Sequence, residues 1–215
     1  MLSTFNSLPS RGKPSALPPW EFTVLAAVVA VFQTVTAIHR PKVISVATGT
    51  KSIGHESLSG NLSGCLLHDS HAEVLARRGF KRYILTWIKN VISNTAVVDD
   101  ACPFIWNSGD KTVSVKDGCQ FFMYISDSPC GAASIYPVKN FFGEEPIFNP
   151  TGAKIARVTS TFENSLNTEA LRTKSGRSDI LSINKSTSMC CSDKISRWTH
   201  LGLQGRVDPF FVMPQ

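Results

Sequence analysis

Apolar side chains recur with helical spacing between residues 71 and 92. At 100° per residue, Leu85, Ile88 and Ile92 project within about 40° of Val74, which predicts a long helix with an apolar stripe facing the core. The predicted helix runs from about residue 71 to residue 92.

Cations interrupt this stripe. Arg78 and Lys81 fall inside the same sector of the helix, and Arg77 and Arg82 flank it. Buried charge must be paired, so a core-facing stripe that carries cations is unusual and needs a counter-charge. Of the four, Lys81 and Arg82 are the two that we expect to be solvated.

Shorter apolar runs before and after this helix in the sequence predict further buried elements. Residues 24–32 predict a buried strand or helix, residues 43–47 a short strand, and residues 120–126 a strand buried on both faces because its apolar character is unbroken. Residues 94–118 carry turn signals and are expected to be irregular, and residues 132–138 predict a short helix that Pro137 limits.

Length and composition favour a globular protein with one domain, or at most two small ones. The chain has 215 residues, of which 42% are hydrophobic. Residues 1–19 contain four prolines and are expected to be a flexible leader. The formal net charge of +6 modestly favours a polyanionic partner.

The cysteines and the longest apolar run bear on the compartment. Six cysteines without the spacing of a disulfide scaffold indicate reduced thiols and possible metal ligands, so an intracellular location is expected, in the nucleus, the cytoplasm or both. Residues 24–32 are about half of the ~20 residues that a membrane span needs, so no membrane association is expected.

A histidine and a glutamate two residues apart, with a Pro-Cys pair downstream, predict a zinc site. His71 and Cys130 are suitable ligands, and Glu73 is the acid that would stay off the metal and move protons. Asp69 or Ser70 is the expected helix N-cap, which places His71 and Glu73 together in the first helical turn.

The third ligand does not follow from spacing. The compact deaminase pattern has a second cysteine three residues after the first, where this chain has Ala133. The remaining cysteines stay open as candidates: Cys65, Cys102, Cys119, Cys190 and Cys191. Cys191 precedes Ser192 and Asp193, which are suitable caps of a short helix whose N-terminus would favour a thiolate.

Several collinear blocks of the chain resemble the adenosine deaminases that act on RNA, and above all their tRNA-specific branch. The blocks include Asp-Ser-His-Ala-Glu-Val at 69–74, Ser-Pro-Cys-Gly at 128–131 and Cys-Ser-Asp-Lys-Ile-Ser-Arg-Trp at 191–198. Further blocks lie at 20–28, 48–51, 76–78, 151–154 and 171–177.

The resemblance implies a ligand set and a reaction. Zinc would be bound by His71, Cys130 and Cys191, with Glu73 as the proton shuttle in the hydrolysis of a flipped-out adenosine to inosine. In the tRNA-specific branch the substrate is the adenosine 3′ of the anticodon of an alanine tRNA. The expected protein is thus a hydrolase of tRNA modification that binds RNA, with no DNA partner expected.

The resemblance also implies a buried inositol hexakisphosphate. Arg77, Arg78, Lys194 and Arg197 match its cationic ligands in that family, which would supply the counter-charge that the helix stripe needs. Asp69 with Lys194 matches a relay between this polyanion and the zinc. Residues Thr50 and Lys51 match a segment near the substrate nucleotide.

The implied fold is a cytidine-deaminase-like α/β domain, a three-layer α/β/α sandwich with a central mixed sheet. Residues 20–205 would be its partial deaminase domain, incomplete at the C-terminus, because residues 206–215 leave the family pattern and form a divergent tail. His68 and Gly79 also depart from the family, which usually has Asn and Ser there. A catalytically inactive RNA-binding remnant and a cytosine-acting deaminase therefore stay open as alternatives.

Overall fold

A computed structural model describes residues 1–10, 13–15, 21–32, 41–59, 64–93, 102–134, 137–138, 147–148, 171–174, 184–205 and 211–212. The helices are α1 (Leu2–Ser7), α2 (His55–Ser59), α3 (Ala72–Ile92) and α4 (Cys191–Leu201), with a 3-10 turn at Ala132–Ser134. The strands are β1 (Leu25–Phe32), β2 (Lys42–Thr48), β3 (Thr50–Ser52), β4 (Asp69–His71), β5 (Phe104–Asn107), β6 (Thr112–Val115), β7 (Cys119–Ile125), β8 (Pro137–Val138), β9 (Ile147–Phe148) and β10 (Phe211–Val212).

The chain divides into two compact units. The first comprises Met1–Gly49, Ala72–Ser126 and Leu201–Gln215, and the second comprises Thr50–His71 and Asp127–His200. The boundaries predicted from the sequence, at residues 19/20 and 205/206, stay predictions. Within the predicted leader, Leu2–Ser7 form the short helix α1.

The predicted α/β fold class is confirmed in the first unit. Strands β2, β1 and β7 form an antiparallel sheet with β1 in the centre, and α3 packs against it. The central sheet was expected to be mixed, but over these three described strands it is antiparallel. The smaller sheet of β10, β6 and β5 combines one parallel and one antiparallel pairing.

Small and β-branched side chains explain the position of β1. Ala26, Val28 and Ala30 are fully buried, and they allow the helix to approach the sheet closely. Ser45 on β2 donates a hydrogen bond of 2.7 Å to the carbonyl oxygen of Ala76, which fixes the helix on the sheet. The strand predicted at 43–47 is confirmed by β2, and the run at 24–32, which was left open between a strand and a helix, forms the strand β1.

The predicted helix is confirmed, but its buried face was predicted only in part: of the predicted apolar stripe Ile88 is buried, whereas Val74 is partly exposed. Its core-facing residues are all apolar and recur every four residues: Ala72, Ala76, Phe80, Ile84 and Ile88. Leu85 and Ile92 are instead 54% and 63% exposed. Burying the sector that contains Arg78 and Lys81 would desolvate two cations, which costs more than burying Leu85 and Ile92 gains.

Two further expectations for the first unit were wrong. Burial alternates along β7, where Phe122 and Tyr124 are exposed, so the strand is buried on one face and not on both. The segment expected to be irregular, 94–118, contains the antiparallel hairpin of β5 and β6, with Lys111 at positive φ in its turn.

One expectation for the second unit was also wrong. The described residues of the segment predicted as a helix, 132–138, form a 3-10 turn and the short strand β8.

Among the described residues, no helix combines the length and the apolar character that crossing a bilayer requires.

Candidate metal centre

His71 is placed by a strand and not by a helical turn. It is the last residue of β4, which pairs antiparallel with β3 so that His71 lies opposite Thr50. Its backbone N–H donates a hydrogen bond of 3.1 Å to the Asp69 carboxylate. The prediction that His71 belongs to the first turn of the helix was therefore wrong by one residue, because α3 begins at Ala72.

Cys130 lies in a tight loop that only glycine permits. The next residue, Gly131, has φ 105°, and a Cβ atom added there would lie 2.3 Å from the Cys190 Sγ atom. Ser192 closes the loop: its backbone N–H donates to the Cys130 carbonyl oxygen at 3.0 Å, and its side chain accepts from the Ala133 N–H at 3.0 Å. The loop carrying Cys130 is thus fastened to the start of α4.

Cys191 is the first residue of helix α4, so its predicted position at the helix N-terminus is confirmed. Ser192 and Asp193, which were expected to cap the helix, lie within its first turn. The segment before Cys191 pairs with residues 171–174: Cys190 N–H donates to the Arg172 carbonyl oxygen and Lys174 N–H to that of Ser188, both at 2.8 Å. In return, Arg172 N–H donates to the Asp193 carboxylate in the first turn of α4 at 2.7 Å.

These elements bring three ligand atoms of the second unit together. One nitrogen of His71 and the Sγ atoms of Cys130 and Cys191 all lie within 4.8 Å of one another. Among the described residues this is the one group of three or more His, Cys, Asp or Glu side chains with that spacing. Cys190 is adjacent but has a different partner, since its thiol donates to the Asp193 carboxylate at 2.9 Å.

Lys174 is a functional candidate that the sequence analysis missed. Its side chain is 3% exposed, and its Nζ atom donates to the Cys191 sulfur at 2.8 Å and to the Cys130 sulfur at 3.4 Å. It belongs to the block at 171–177 that carried part of the family resemblance, but no role was assigned to it. A buried lysine between two sulfurs indicates that these sulfurs carry negative charge.

A hydrogen-bond network extends from this lysine through Asp69. The Lys174 Nζ atom lies 3.5 Å from the Asp69 carboxylate, and Lys194 Nζ donates to the same carboxylate. Ser188 joins both partners, since it donates to Asp69 at 3.0 Å and accepts from Lys194 at 2.6 Å. The structure therefore brings Asp69 and Lys194, the two residues of the predicted relay, into direct contact, and Ser188 contacts both of them.

The pKa values in this cluster follow from its contacts. The pKa of the Cys130 thiol is lowered to about 3, chiefly by hydrogen bonding with Cys191 and also by His71 and Lys174, while burial acts in the opposite direction. Burial would lower the pKa of Lys174, but the neighbouring Cys191 sulfur raises it above its ordinary value. Burial would raise the pKa of Asp69, yet the hydrogen bond from Lys194 and the charge of Lys174 leave it below its ordinary value.

The pKa of the Cys190 thiol is shifted in the opposite direction from that of Cys130. Burial, followed by the hydrogen bond with Asp193, raises the pKa of the Cys190 thiol to about 11. Two adjacent cysteines thus differ in chemistry: Cys191 faces a lysine, and Cys190 faces a carboxylate that it can contact only as a protonated donor. The geometry therefore favours Cys191 over Cys190 as the third metal ligand, a choice that the sequence spacing had left open.

The other predicted site residues are placed as follows. Glu73 is the second residue of α3 and is buried, two residues along the chain from His71. In the first unit, the Arg77 guanidinium donates to the Leu203 carbonyl oxygen at 2.8 Å, and Arg78 is exposed. In the second unit, Arg197 is exposed on α4.

Thr50 and Lys51 are exposed residues of β3, not of a plain turn. The resemblance blocks at 151–154 and 175–177 lie outside the described residues, as does most of the predicted tail at 206–215.

Comparison with known proteins identifies the family. The Adenosine-deaminase (editase) domain matches residues 45–214. The chain is 35% identical over 212 residues to the tRNA-specific adenosine deaminase 1 of Drosophila melanogaster, a match covering 95% of this chain and 48% of that protein. It is 36% identical over 143 residues to the human tRNA-specific adenosine deaminase 1, covering 62% of this chain and 27% of that protein.

A relative that is named for a different substrate also matches. The double-stranded RNA-specific editase Adar of Drosophila melanogaster is 32% identical over 178 residues, covering 80% of this chain and 25% of that protein. The chain therefore spans half or less of the length of these relatives. The domain match over most of the chain confirms the predicted resemblance, and the chain belongs to the adenosine-deaminase (editase) domain family.

Proposed function

We propose that this chain holds one zinc ion through His71, Cys130 and Cys191 and hydrolyses adenosine to inosine in tRNA. The convergence of these three ligand atoms within 4.8 Å carries the proposal. The family match supports the reaction class, and the relatives named as tRNA-specific support the choice of tRNA over other RNA.

The donor atoms suit zinc. One imidazole and two thiolates are a zinc ligand set, and three protein ligands with one open position are typical of catalytic zinc. The low pKa of Cys130 and the lysine facing both sulfurs supply the deprotonated thiolates that a metal needs. A bound zinc ion supplies a Lewis acid that makes water acidic enough to react near neutral pH.

Glu73 moves the protons of the reaction. In hydrolytic deamination a bond forms between the water oxygen and C6 of adenine, and the bond from C6 to the exocyclic nitrogen breaks. The Glu73 carboxylate accepts a proton from the water and returns one to the leaving ammonia. Adenosine and water thereby give inosine and ammonia with the carboxylate regenerated.

The buried lysine and its network position the thiolates. Lys174 compensates the charge of the two sulfurs, and Asp69 holds Lys174 with help from Lys194 and Ser188. Contacts of this kind around metal ligands typically change metal affinity or activity by about 10- to 100-fold.

The finer features of the substrate and cofactors are part of the proposal. We propose the adenosine 3′ of the anticodon in an alanine tRNA as the target, with Thr50 and Lys51 near the nucleotide. Inositol hexakisphosphate, with Arg77, Arg78, Lys194 and Arg197 as ligands, is proposed from the resemblance, and phosphorus analysis of the purified chain tests it. A tRNA substrate also implies a nuclear or cytoplasmic location.

The decisive experiment combines metal analysis with inosine detection. The full chain is purified with zinc and incubated with a transcript of an alanine tRNA, and a matched transcript carries guanosine at the target position. We expect about one zinc per chain and inosine only at that adenosine. Glu73→Gln is the matched variant, since it keeps shape and zinc but loses the proton carrier, and we expect a loss of at least about a thousandfold in rate.

Other outcomes decide among the alternatives. Zinc and tRNA binding without inosine in the parent chain would contradict the proposal in favour of a non-catalytic RNA-binding protein. Uridine formed from cytidine, with no inosine, would identify a cytosine-acting deaminase.

A further inference from the structure

Asp193 joins the segment 171–174 to the start of helix α4. It lies in the first turn of the helix, two residues after the proposed ligand Cys191. One oxygen of its carboxylate, Oδ2, accepts both the Arg172 N–H at 2.7 Å and the Cys190 thiol at 2.9 Å. A single carboxylate oxygen therefore links two parts of the second unit that are far apart in the sequence.

The bond to Arg172 extends a short antiparallel backbone ladder. The ladder comprises the bonds from Lys174 N–H to the Ser188 carbonyl oxygen and from Cys190 N–H to the Arg172 carbonyl oxygen. In an antiparallel pair that exchanges both bonds, the Arg172 N–H would donate to the Cys190 carbonyl oxygen in return.

The start of α4 diverts that acceptor. The Cys190 carbonyl oxygen accepts the Lys194 N–H at 3.2 Å, which is the first hydrogen bond of the helix. The Asp193 carboxylate accepts the Arg172 N–H in its place, so the ladder is continued into the helix by a side chain. A carboxylate in the first turn of a helix is stabilised by the helix dipole, and an ionised acceptor forms a stronger hydrogen bond than a neutral one.

The position of Lys174 depends on this link. Its Nζ atom donates to the Cys191 sulfur at 2.8 Å and to the Cys130 sulfur at 3.4 Å, and it lies 3.5 Å from the Asp69 carboxylate. Lys174 and Arg172 are both nearly fully buried, so this short segment carries two cations into the interior. A buried ammonium that loses its anionic partners is costly, so the backbone that carries it must stay in place.

We infer that Asp193 is a positioning residue of the metal centre. It holds the segment that carries Lys174 against the helix that carries Cys191, and it thereby keeps the ammonium in contact with the two ligand sulfurs. The inference rests on the proposed function for the presence of zinc at these sulfurs. Asp193 itself acts through Lys174 and contacts neither ligand sulfur in this role.

The test is a double-mutant cycle on zinc affinity. The affinity of the full chain for zinc is measured with a competing chelator in the parent, in Asp193→Ala, in Lys174→Met and in the double variant. Each single substitution should weaken zinc binding by about 10- to 100-fold. Because Asp193 acts through Lys174, adding Asp193→Ala to Lys174→Met should change the affinity by no more than about twofold.

Cobalt(II) in place of zinc supplies a spectroscopic signature. The hydrogen bond from Lys174 withdraws electron density from the thiolates, so its loss should move the thiolate-to-cobalt charge-transfer band to longer wavelength. Asp193→Ala and Lys174→Met should show this shift in the same direction.

Three variants serve as controls. Asp193→Asn keeps an acceptor oxygen for both donors, so its zinc affinity should stay within about fivefold of the parent. Asp127→Ala makes the same chemical change at an exposed carboxylate of the same unit and should change neither the affinity nor the band. Ser196→Gly weakens α4 at an exposed position away from these contacts, and it should leave the band unshifted. Circular dichroism checks that each variant keeps its helices.

The outcomes separate this inference from the proposed function. Parental affinity or an unshifted band in Asp193→Ala would overturn it, as would an equal shift in Ser196→Gly or additive losses in the double variant. A parent chain that binds no zinc would overturn both proposals. Inosine formed by the parent alongside an unshifted Asp193→Ala band rejects the role of Asp193 alone, whereas a shifted band and coupled losses without inosine reject only the enzymatic proposal.

Discussion

The two units bury different chemistry. The core of the first unit is almost entirely apolar, with Phe80, Phe104 and Phe121 in ring contacts of 5.1 and 5.8 Å. Among the described residues of the second unit the buried side chains are mainly polar or charged: Asp69, Arg172, Lys174, Ser186 and Ser188, with Cys190, Cys191 and Trp198.

The two units should therefore be stabilised by different kinds of interaction. Apolar burial stabilises the first unit roughly in proportion to the area removed from water, whatever the partners are. In the second unit each buried polar group stabilises only if its specific partner is present, because an unpaired buried charge costs several kcal/mol. The first unit should therefore respond to lost volume, and the second to lost partners.

The largest expected effect is the loss of the metal from the second unit. Cys191→Ser replaces a thiolate ligand with a weakly acidic hydroxyl, so zinc should fall from about one to below about 0.1 per chain. Metal analysis after dialysis measures it.

The matched control is one residue away. Cys190→Ser makes the same chemical change at a thiol that contacts Asp193 and not the ligand cluster, so zinc should stay near one per chain. Zinc lost from the Cys190 variant and kept by the Cys191 variant would show that the ligand set is misassigned.

The next effect concerns the apolar core of the first unit. Phe80→Ala removes a ring that is 1% exposed and packs edge-on against Phe121, so the free energy of unfolding should fall by about 3–5 kcal/mol. Urea denaturation measures the change.

Phe122→Ala is its control on the neighbouring strand. That ring is 50% exposed, so its truncation should cost less than about 1 kcal/mol. Equal effects of the two substitutions would mean that α3 does not pack on the sheet as described.

The smallest of the three effects tests the polar network. Asp69→Asn keeps the shape but removes the negative charge that Lys174 and Lys194 share, and Lys194 is partly solvated. We expect a loss of about 2–3 kcal/mol in the free energy of unfolding, together with zinc affinity weakened about 10- to 100-fold. Urea denaturation and zinc titration with a competing chelator measure the two quantities.

Asp127→Asn provides the comparison within the same unit. Its carboxylate is exposed and, among the described residues, accepts the neighbouring Ser128 N–H alone, so the change should cost less than about 1 kcal/mol and leave zinc affinity unchanged. A similar loss for both variants would remove the contrast between the units that the network implies.

Local patterns were sufficient for the elements but not for their orientation. The apolar runs at 24–32 and 43–47 and the periodicity over 71–92 predicted the positions of β1, β2 and α3, because burial on one side of a strand or helix repeats at short spacing. The buried face of α3 was misjudged in part because the sheet accepts Ala76, Phe80 and Ile84, while the cations force the other side outwards. The β5–β6 hairpin was missed because its polar turn residues outweighed its short apolar runs.

The sequence alone was sufficient to predict the family of the chain and most of its proposed site. His71, Glu73 and Cys130 stand in a spacing typical of zinc deaminases, and the family blocks added Cys191, Asp69 and Lys194. These predictions depend on the chemical identity and spacing of residues, which the sequence gives directly.

The contacts among these site residues became known from the tertiary structure alone. Residues 171–174 pair with the segment before α4, and this pairing places Lys174 against two sulfurs and Asp69. It also separates Cys191, which faces that lysine, from Cys190, which faces Asp193. Contacts between residues far apart in the chain depend on how the elements pack, and no local pattern of residues encodes that packing.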